Sequence, residues 1–251
     1  RFVAYGGGKH ESEKLKIGAS VYSENDAKNQ PLQQNLSSEQ VQILANAGDD
    51  SSQMIAPSAL SQTFNENRIL YKKETINGTE TFVFSNNPDD ELFSVKFTRV
   101  GENQGNYILS STNAISNIYL FVAPIDGILQ GNYAPITQLI APTKLQLVVV
   151  NGNYQPHDKT IIDFELAGSK NDLNLFSNLD DSNNDGFAAK LNISQTIVKS
   201  DSLWNLNAFV NSNYIENNFK TIERLYNVEF NRDWNIETSE GNQQLIIAGL
   251  Q

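Results

Sequence analysis

Long segments in which apolar and polar residues alternate dominate the second half of the chain. In residues 162–166 and 204–210, apolar side chains alternate with Asp, Glu and Asn. This period of two is typical of an antiparallel strand with one face exposed to water. The pattern predicts long, half-buried antiparallel strands that form a barrel or a large curved sheet. Five such segments lie within residues 117–251, namely 145–154, 160–168, 187–198, 203–214 and 225–234.

The beginning of the chain predicts a hairpin that belongs to the same main sheet. Residues 2–5 and 15–22 alternate with the period of a strand, and Gly6-Gly7-Gly8 lies between them. Glycine-rich segments between strands favour turns, so we expect the chain to reverse at these glycines. The hairpin is expected over residues 1–23. Its first strand looks incomplete at Arg1, which indicates a fragment or a processed product of a longer protein.

Residues 24–116 have a different pattern and predict an inserted subdomain. Ser37 and Gln40 have the spacing of a helix-capping box, and Gly48 follows a short segment with helical periodicity. Farther along, Asn77-Gly78 and Asn87-Pro88-Asp89 separate short alternating segments, which is typical of hairpin turns. We therefore expect an all-β chain that carries an inserted small β subdomain and one short helix.

Composition narrows the range of functions. The 18 Lys and Arg residues against 29 Asp and Glu residues give a net charge of −11, which argues against a nucleic-acid partner. The chain has no cysteine and only two histidines, His10 and His157, which lie far apart in the sequence. No P-loop or dinucleotide-binding motif is present, so we expect no small-molecule cofactor and no enzymatic activity.

The sharpest local motif is an acidic turn over residues 181–186. Asp181, Asn183 and Asp185 occupy the first three ligand positions of an EF-hand calcium loop, and a glycine follows them. The twelfth position holds Asn192 instead of a bidentate acid, and a strand pattern follows instead of a helix pattern. Calcium bound by these three residues is one hypothesis, and a solvated turn between strands is the more common alternative.

Two other classes of function are open to the same sequence. A glycosidase would use a pair of carboxylates, for which Asp49/Asp50, Asp89/Asp90/Glu91 and Asp180/Asp181 are candidates. A surface carbohydrate-binding β module would use a row of exposed aromatic side chains, although aromatic residues at strand spacing more often belong to a core. The candidates for such a row are Tyr107, Tyr119, Phe121, Tyr133 and Tyr154.

Several short motifs give the chain a family resemblance that spans most of its length. They are residues 24–32, 47–50, 105–107, 130–135, 139–142, 171–177 and 229–234. With these motifs the chain resembles outer-membrane-associated proteins of the Bacteroidetes, among them the plug subunit of the type IX secretion translocon. The resemblance implies a non-enzymatic protein that is exported to the periplasmic face of the outer membrane or to the cell surface. Its implied role is to bind a large outer-membrane barrel and to occlude this secretion pore.

Overall fold

The computed structural model describes residues 1–28, 35–112, 117–199, 204–222 and 241–251. Antiparallel β-strands make up most of these residues, and they contain a single α-helix, so the predicted all-β class with one short helix is confirmed. The chain divides into two compact units. The sheet unit combines Arg1–Ser37 with Ala141–Gln251, and the inserted unit is Ser38–Ile140.

The sheet unit contains one large antiparallel sheet. Its seven described strands are, in spatial order, β1 (Phe2–Glu11), β2 (Leu15–Asn25), β13 (Lys144–His157), β14 (Thr160–Asp172), β15 (Asp185–Lys199), β16 (Asn205–Ile215) and β17 (Gln243–Leu250). The described part is therefore an open sheet with β1 and β17 at its edges. The predicted segment 225–234 lies outside the described residues, whereas β17 has no counterpart in the prediction.

The three glycines near the start of the chain do not form the turn that the sequence predicts. Gly6, Gly7 and Gly8 lie in the middle of β1 and pair with residues 19–21 of β2. The chain reverses farther along instead, where the amide of Ser12 donates to the carbonyl of Leu15 at 2.8 Å. None of the three glycines has a positive φ. Glycine permits a turn but does not require one, and here the cross-strand pairing determines the conformation.

The inserted unit interrupts a β-hairpin of the large sheet. Strands β2 and β13 pair directly, from Leu15 with Tyr154 to Asn25 with Lys144. At the end of this pairing, the amide of Asp26 donates to the carbonyl of Thr143 at 2.9 Å. The chain therefore leaves the sheet and returns to it at neighbouring positions, and the inserted unit occupies the connection.

In its described residues, the inserted unit has one α-helix and three small sheets. Helix α1 spans Ser38–Ala47 and ends at Gly48, which has a φ of 60°. The predicted turns are present, since Asn77 and Gly78 both have positive φ and the Asp90 amide donates to the Asn87 carbonyl. The strands are β3 (Ile55–Pro57), β4 (Leu60–Gln62), β5 (Leu70–Ile76), β6 (Thr79–Ser85), β7 (Leu92–Ser94), β8 (Thr98–Arg99), β9 (Tyr107–Thr112), β10 (Asn117–Phe121), β11 (Tyr133–Ala134) and β12 (Ile136–Gln138).

The pairing of β9 with β10 determines where the inserted unit ends. These strands belong to a four-stranded sheet ordered β10-β9-β11-β8, and β12 pairs with β3. The sequence pattern had placed the end of the insertion at residue 116, before β10. Because β10, β11 and β12 all pair with strands that precede residue 116, the compact unit extends to Ile140.

Buried apolar side chains are concentrated in the inserted unit. Of the twelve that are buried among the described residues, nine lie between Ser38 and Ile140. Among the described strands of the large sheet, the only buried apolar side chains are Leu147 and Ala167. The long strands of the sheet unit therefore fold without an extensive core of their own.

Candidate functional site

The acidic turn that the sequence singled out lies between β14 and β15. Residues Asp181–Asn183 form a single turn of 3-10 helix, and a carboxylate oxygen of Asp181 accepts a hydrogen bond from the Asn184 side-chain amide at 3.0 Å. Asp185 begins β15 and is exposed, with its carboxylate 4.0 Å from the Lys170 ammonium. Within the described residues, no three His, Asp or Glu side chains form a group that could hold a metal. Calcium at Asp181, Asn183 and Asp185 stays a prediction.

Two of the candidate carboxylates for a glycosidase, Asp50 and Asp90, form hydrogen bonds within local turns. Asp50 accepts hydrogen bonds from the amide and hydroxyl of Ser52 and from the Gln53 side chain, and these bonds lower the pKa of its carboxyl. Asp90 accepts a hydrogen bond from the Ser85 hydroxyl at 2.6 Å and one from Asn87. These carboxylates hold turns in place, as short polar side chains commonly do.

Most of the predicted aromatic row packs together inside the inserted unit. Tyr107 is buried, and its ring lies 5.7 Å from that of Phe121. Tyr119 stacks on Phe97 at 4.6 Å and lies 4.9 Å from Tyr133. These rings contact one another as core aromatics do and do not form an exposed row. Tyr154 lies elsewhere, on β13 of the large sheet.

The most unusual surface of the protein is one face of the seven-stranded sheet, which we call the apolar face. Directly paired residues of neighbouring strands point to the same side of a sheet, so the register assigns each residue to a face. Among the described strands, no apolar side chain on this face is fully buried. The large apolar residues of the apolar face include Leu15, Ile17, Val21, Val148, Val150, Tyr154, Ile162, Phe164, Leu166, Phe187, Leu191, Ile193, Val210, Tyr214, Ile246 and Leu250.

Exposure on the apolar face extends across the sheet from β2 to β17. Leu166 on the central strand β14 is 44% exposed, and Ile246 on β17 is 60% exposed. Isolated exposed apolar residues are normal on a protein surface, but a continuous apolar surface is not. Such surfaces mark contacts with another apolar phase, either a protein or a lipid.

The opposite face of the same strands carries the charges. Its central part is a groove of about 360 Å³, which we call the polar groove. Two cross-strand rows form it, and each row runs from β1 to β15. The residues of these rows are Lys9, Gly18, Asn151, Glu165 and Lys190 in one, and Glu11, Lys16, Asn153, Asp163 and Asn192 in the other.

The sequence identified the two faces but not their environments. Alternation in residues 162–166 correctly separates the apolar side chains from Asp163 and Glu165. The expectation that the apolar side would be covered by the protein itself is not met, because Leu166 and Leu191 are exposed. Cross-strand register is needed to see that the exposed residues of separate strands form one surface.

Comparison with known protein families, curated proteins and solved structures finds no match for this chain. Among the described residues, no helix is long and apolar enough to cross a membrane.

Proposed function

We propose that this protein is a non-enzymatic, outer-membrane-associated protein that binds and occludes a secretion pore. The observation that best supports association with the outer membrane is the exposed apolar face of the sheet unit. A sheet with only two buried apolar side chains among its described strands gains little from its own core. Its large apolar surface favours a location at an apolar interface. The family resemblance likewise implies a location at the outer membrane.

The inserted unit is the part that we assign to pore binding. It holds nine of the twelve apolar side chains that are buried among the described residues and therefore has a core of its own. Its surface presents a tight turn at Asp126-Gly127, flanked by Ile125 and Ile128, which are both more than 60% exposed. Two apolar side chains on a rigid turn form a small anchor of the kind that protein interfaces use.

A carbohydrate-binding module is the second candidate, and the aromatic packing weighs against it. Sugar binding by stacking needs aromatic faces that are open to solvent. Here Tyr107, Tyr119, Phe121 and Tyr133 contact other aromatic rings of the inserted unit. Similarly, Asp50 and Asp90 are hydrogen-bonded within turns, which favours binding over glycosidase chemistry.

The proposed function is tested by affinity purification of the full-length protein from its source membranes in mild detergent. We expect a large outer-membrane barrel to co-purify at near-equal stoichiometry, identified by mass spectrometry. An Ile125→Ser/Ile128→Ser variant is expected to recover less of this partner, with Leu60→Ser as a control at another exposed position of the inserted unit. Recovery of the protein alone contradicts the gate function and makes the carbohydrate-binding module the leading candidate.

A further inference from the structure

We propose that the apolar face of the seven-stranded sheet contacts the hydrocarbon of a lipid bilayer, with the polar groove turned away from lipid. This inference extends the proposed function, because it states what covers the sheet unit at the membrane. It assigns the apolar face to lipid and leaves protein binding to other surfaces.

The distribution of charge is the first argument for lipid. Between the row of Val21, Val148 and Phe187 and the row of Gln195, Ala208 and Leu250, the described strands place no Asp, Glu, Lys or Arg on the apolar face. The same length of strand on the opposite face holds all six charged residues of the polar groove. A charged side chain is strongly disfavoured in hydrocarbon at the bilayer midplane, so lipid contact requires this separation.

We call the charge-free part of the apolar face between these two rows the uncharged band, and its height also favours lipid contact. On β15 it extends over residues 187–195, which is about 30 Å along a strand. If the strand is tilted by about 40° from the bilayer normal, this segment covers about 23 Å of bilayer thickness. That height is close to the ~25 Å apolar band of membrane-spanning sheets. Charges resume at both ends of the band, with Lys170 and Asp185 paired at one end and Asp158 and Lys159 in the turn between β13 and β14 at the other.

The lengths of the strands are the third argument. Strands β13, β14 and β15 have 14, 13 and 15 residues, respectively. Strands in globular proteins usually have about 5–6 residues, whereas crossing a bilayer needs about 9–11. A protein partner would also need a complementary surface of this height across β2 to β17, which lipid supplies without a specific fit.

Lipid contact has a requirement at the edges of the sheet. Unpaired backbone amides and carbonyls are not tolerated in hydrocarbon. The outer edges of β1 and β17 must then be paired by strands from further segments or from another chain. The polar groove faces the enclosed, water-accessible side of this assembly, where Lys16, Asp163 and Lys190 are solvated.

The test uses the absence of cysteine in these residues. Leu166→Cys and Leu191→Cys place a single thiol on the apolar face, and Glu165→Cys and Lys190→Cys place one on the opposite face at the same depth. Each variant of the full-length protein, with any cysteine outside these residues replaced by serine, is labelled with bimane and reconstituted in phosphatidylcholine vesicles. Fluorescence quenching is measured with lipids that carry a nitroxide deep in the acyl chain, and separately with aqueous iodide.

We expect lipid nitroxide to quench the label at 166 and 191 several-fold more than at 165 and 190, and iodide to give the reverse order. Quenching at 166 and 191 by iodide would overturn the proposal, because the face would be in water. Shielding from both quenchers would also overturn it, because a protein, either a partner or a second copy, would cover the face. Positions 165 and 166 lie on β14, and positions 190 and 191 lie on β15. If circular dichroism shows that a variant on one strand misfolds, the comparison on the other strand stays decisive.

This outcome is independent of the pull-down that tests the gate function. Lipid quenching without recovery of a pore would support the membrane contact and contradict occlusion. Recovery of a pore with labels at 166 and 191 shielded from lipid would support occlusion and contradict lipid contact.

Discussion

In the inserted unit, two tyrosine hydroxyls accept hydrogen bonds from backbone amides that strand pairing does not satisfy. The Tyr71 hydroxyl accepts a hydrogen bond from the Tyr119 amide at 3.0 Å, and the Tyr107 hydroxyl accepts one from the Phe82 amide at 2.7 Å. Burial raises the pKa of both phenols. We expect Tyr71→Phe to lower the free energy of unfolding by about 1–3 kcal/mol, because an amide loses its partner. Urea unfolding measures this effect, and Tyr5→Phe at an exposed position is the control.

The carboxylate of Asp26 links the two strands between which the inserted unit begins and ends. Burial alone would raise the pKa of Asp26, but hydrogen bonds from Arg1 and from the amide and hydroxyl of Thr143 outweigh burial and lower it. These bonds stabilise the charged form, so their contribution is complete above the unfolded-state pKa of about 3.9 and decreases as pH falls through the lowered pKa.

Replacing Asp26 therefore affects stability most at neutral pH. We expect Asp26→Asn to lower the free energy of unfolding at pH 7 by about 1–3 kcal/mol. The difference from the unmodified protein should shrink below about pH 4. Denaturation curves at several pH values measure this effect. Asp185→Asn removes an exposed carboxylate with a weak ion pair and should change stability by less than about 1 kcal/mol.

At the scale of elements, the three glycines of β1 differ in how closely their neighbours approach. A β-carbon on Gly7 would lie 2.8 Å from the carbonyl oxygen of Ala19, whereas one on Gly6 would meet nothing within 4 Å. We expect Gly7→Ala to destabilise the β1–β2 pairing by about 1–3 kcal/mol, because the obstacle is backbone and moves only with the strand. Gly6→Ala should be neutral or slightly stabilising. Equal effects of the two substitutions, measured by hydrogen exchange of β2 amides, would contradict this explanation.

The elements that the sequence predicted correctly are those in which local chemistry leaves few alternatives. Asn77 and Gly78 both have positive φ, which few residues other than Asn and Gly adopt readily. Gly6-Gly7-Gly8 misled the prediction because glycine is compatible with turns and strands alike. The compact unit extends past the expected boundary at residue 116 because β9 pairs with β10 across it, and pairing between separate segments leaves no local signal.

The candidate site was only partly visible in the sequence for a related reason. Alternation shows which side chains of a strand share a face, but it does not show whether that face meets protein, water or lipid. Leu166 and Leu191 have the pattern of core residues and are exposed. The expected gate function and the calcium at Asp181, Asn183 and Asp185 stay predictions.

At the scale of the whole molecule, we propose separate roles for the two units, and deletion of one unit should separate them. The pairing of β2 with β13 uses no residue of Ser38–Ile140. We expect replacement of residues 38–140 by a long Gly/Ser linker to keep the strand signature in circular dichroism and to abolish co-purification of the pore. Retention of the pore by this variant would show that the sheet unit binds it. Loss of the strand signature would show that the sheet depends on the inserted unit.

The position of the inserted unit within a hairpin has a consequence for the order of folding. Asp26 and Thr143 are 117 residues apart in sequence, so closing this loop from an unfolded chain costs about 4 kcal/mol beyond a constant term. A ribosome releases residues 38–140 before β13 exists, and domains tend to fold as units during synthesis. If the inserted unit folds first, it replaces a long random loop with a compact spacer. The nascent β1–β2 hairpin then waits, with one edge of β2 open, until this spacer brings β13 within reach.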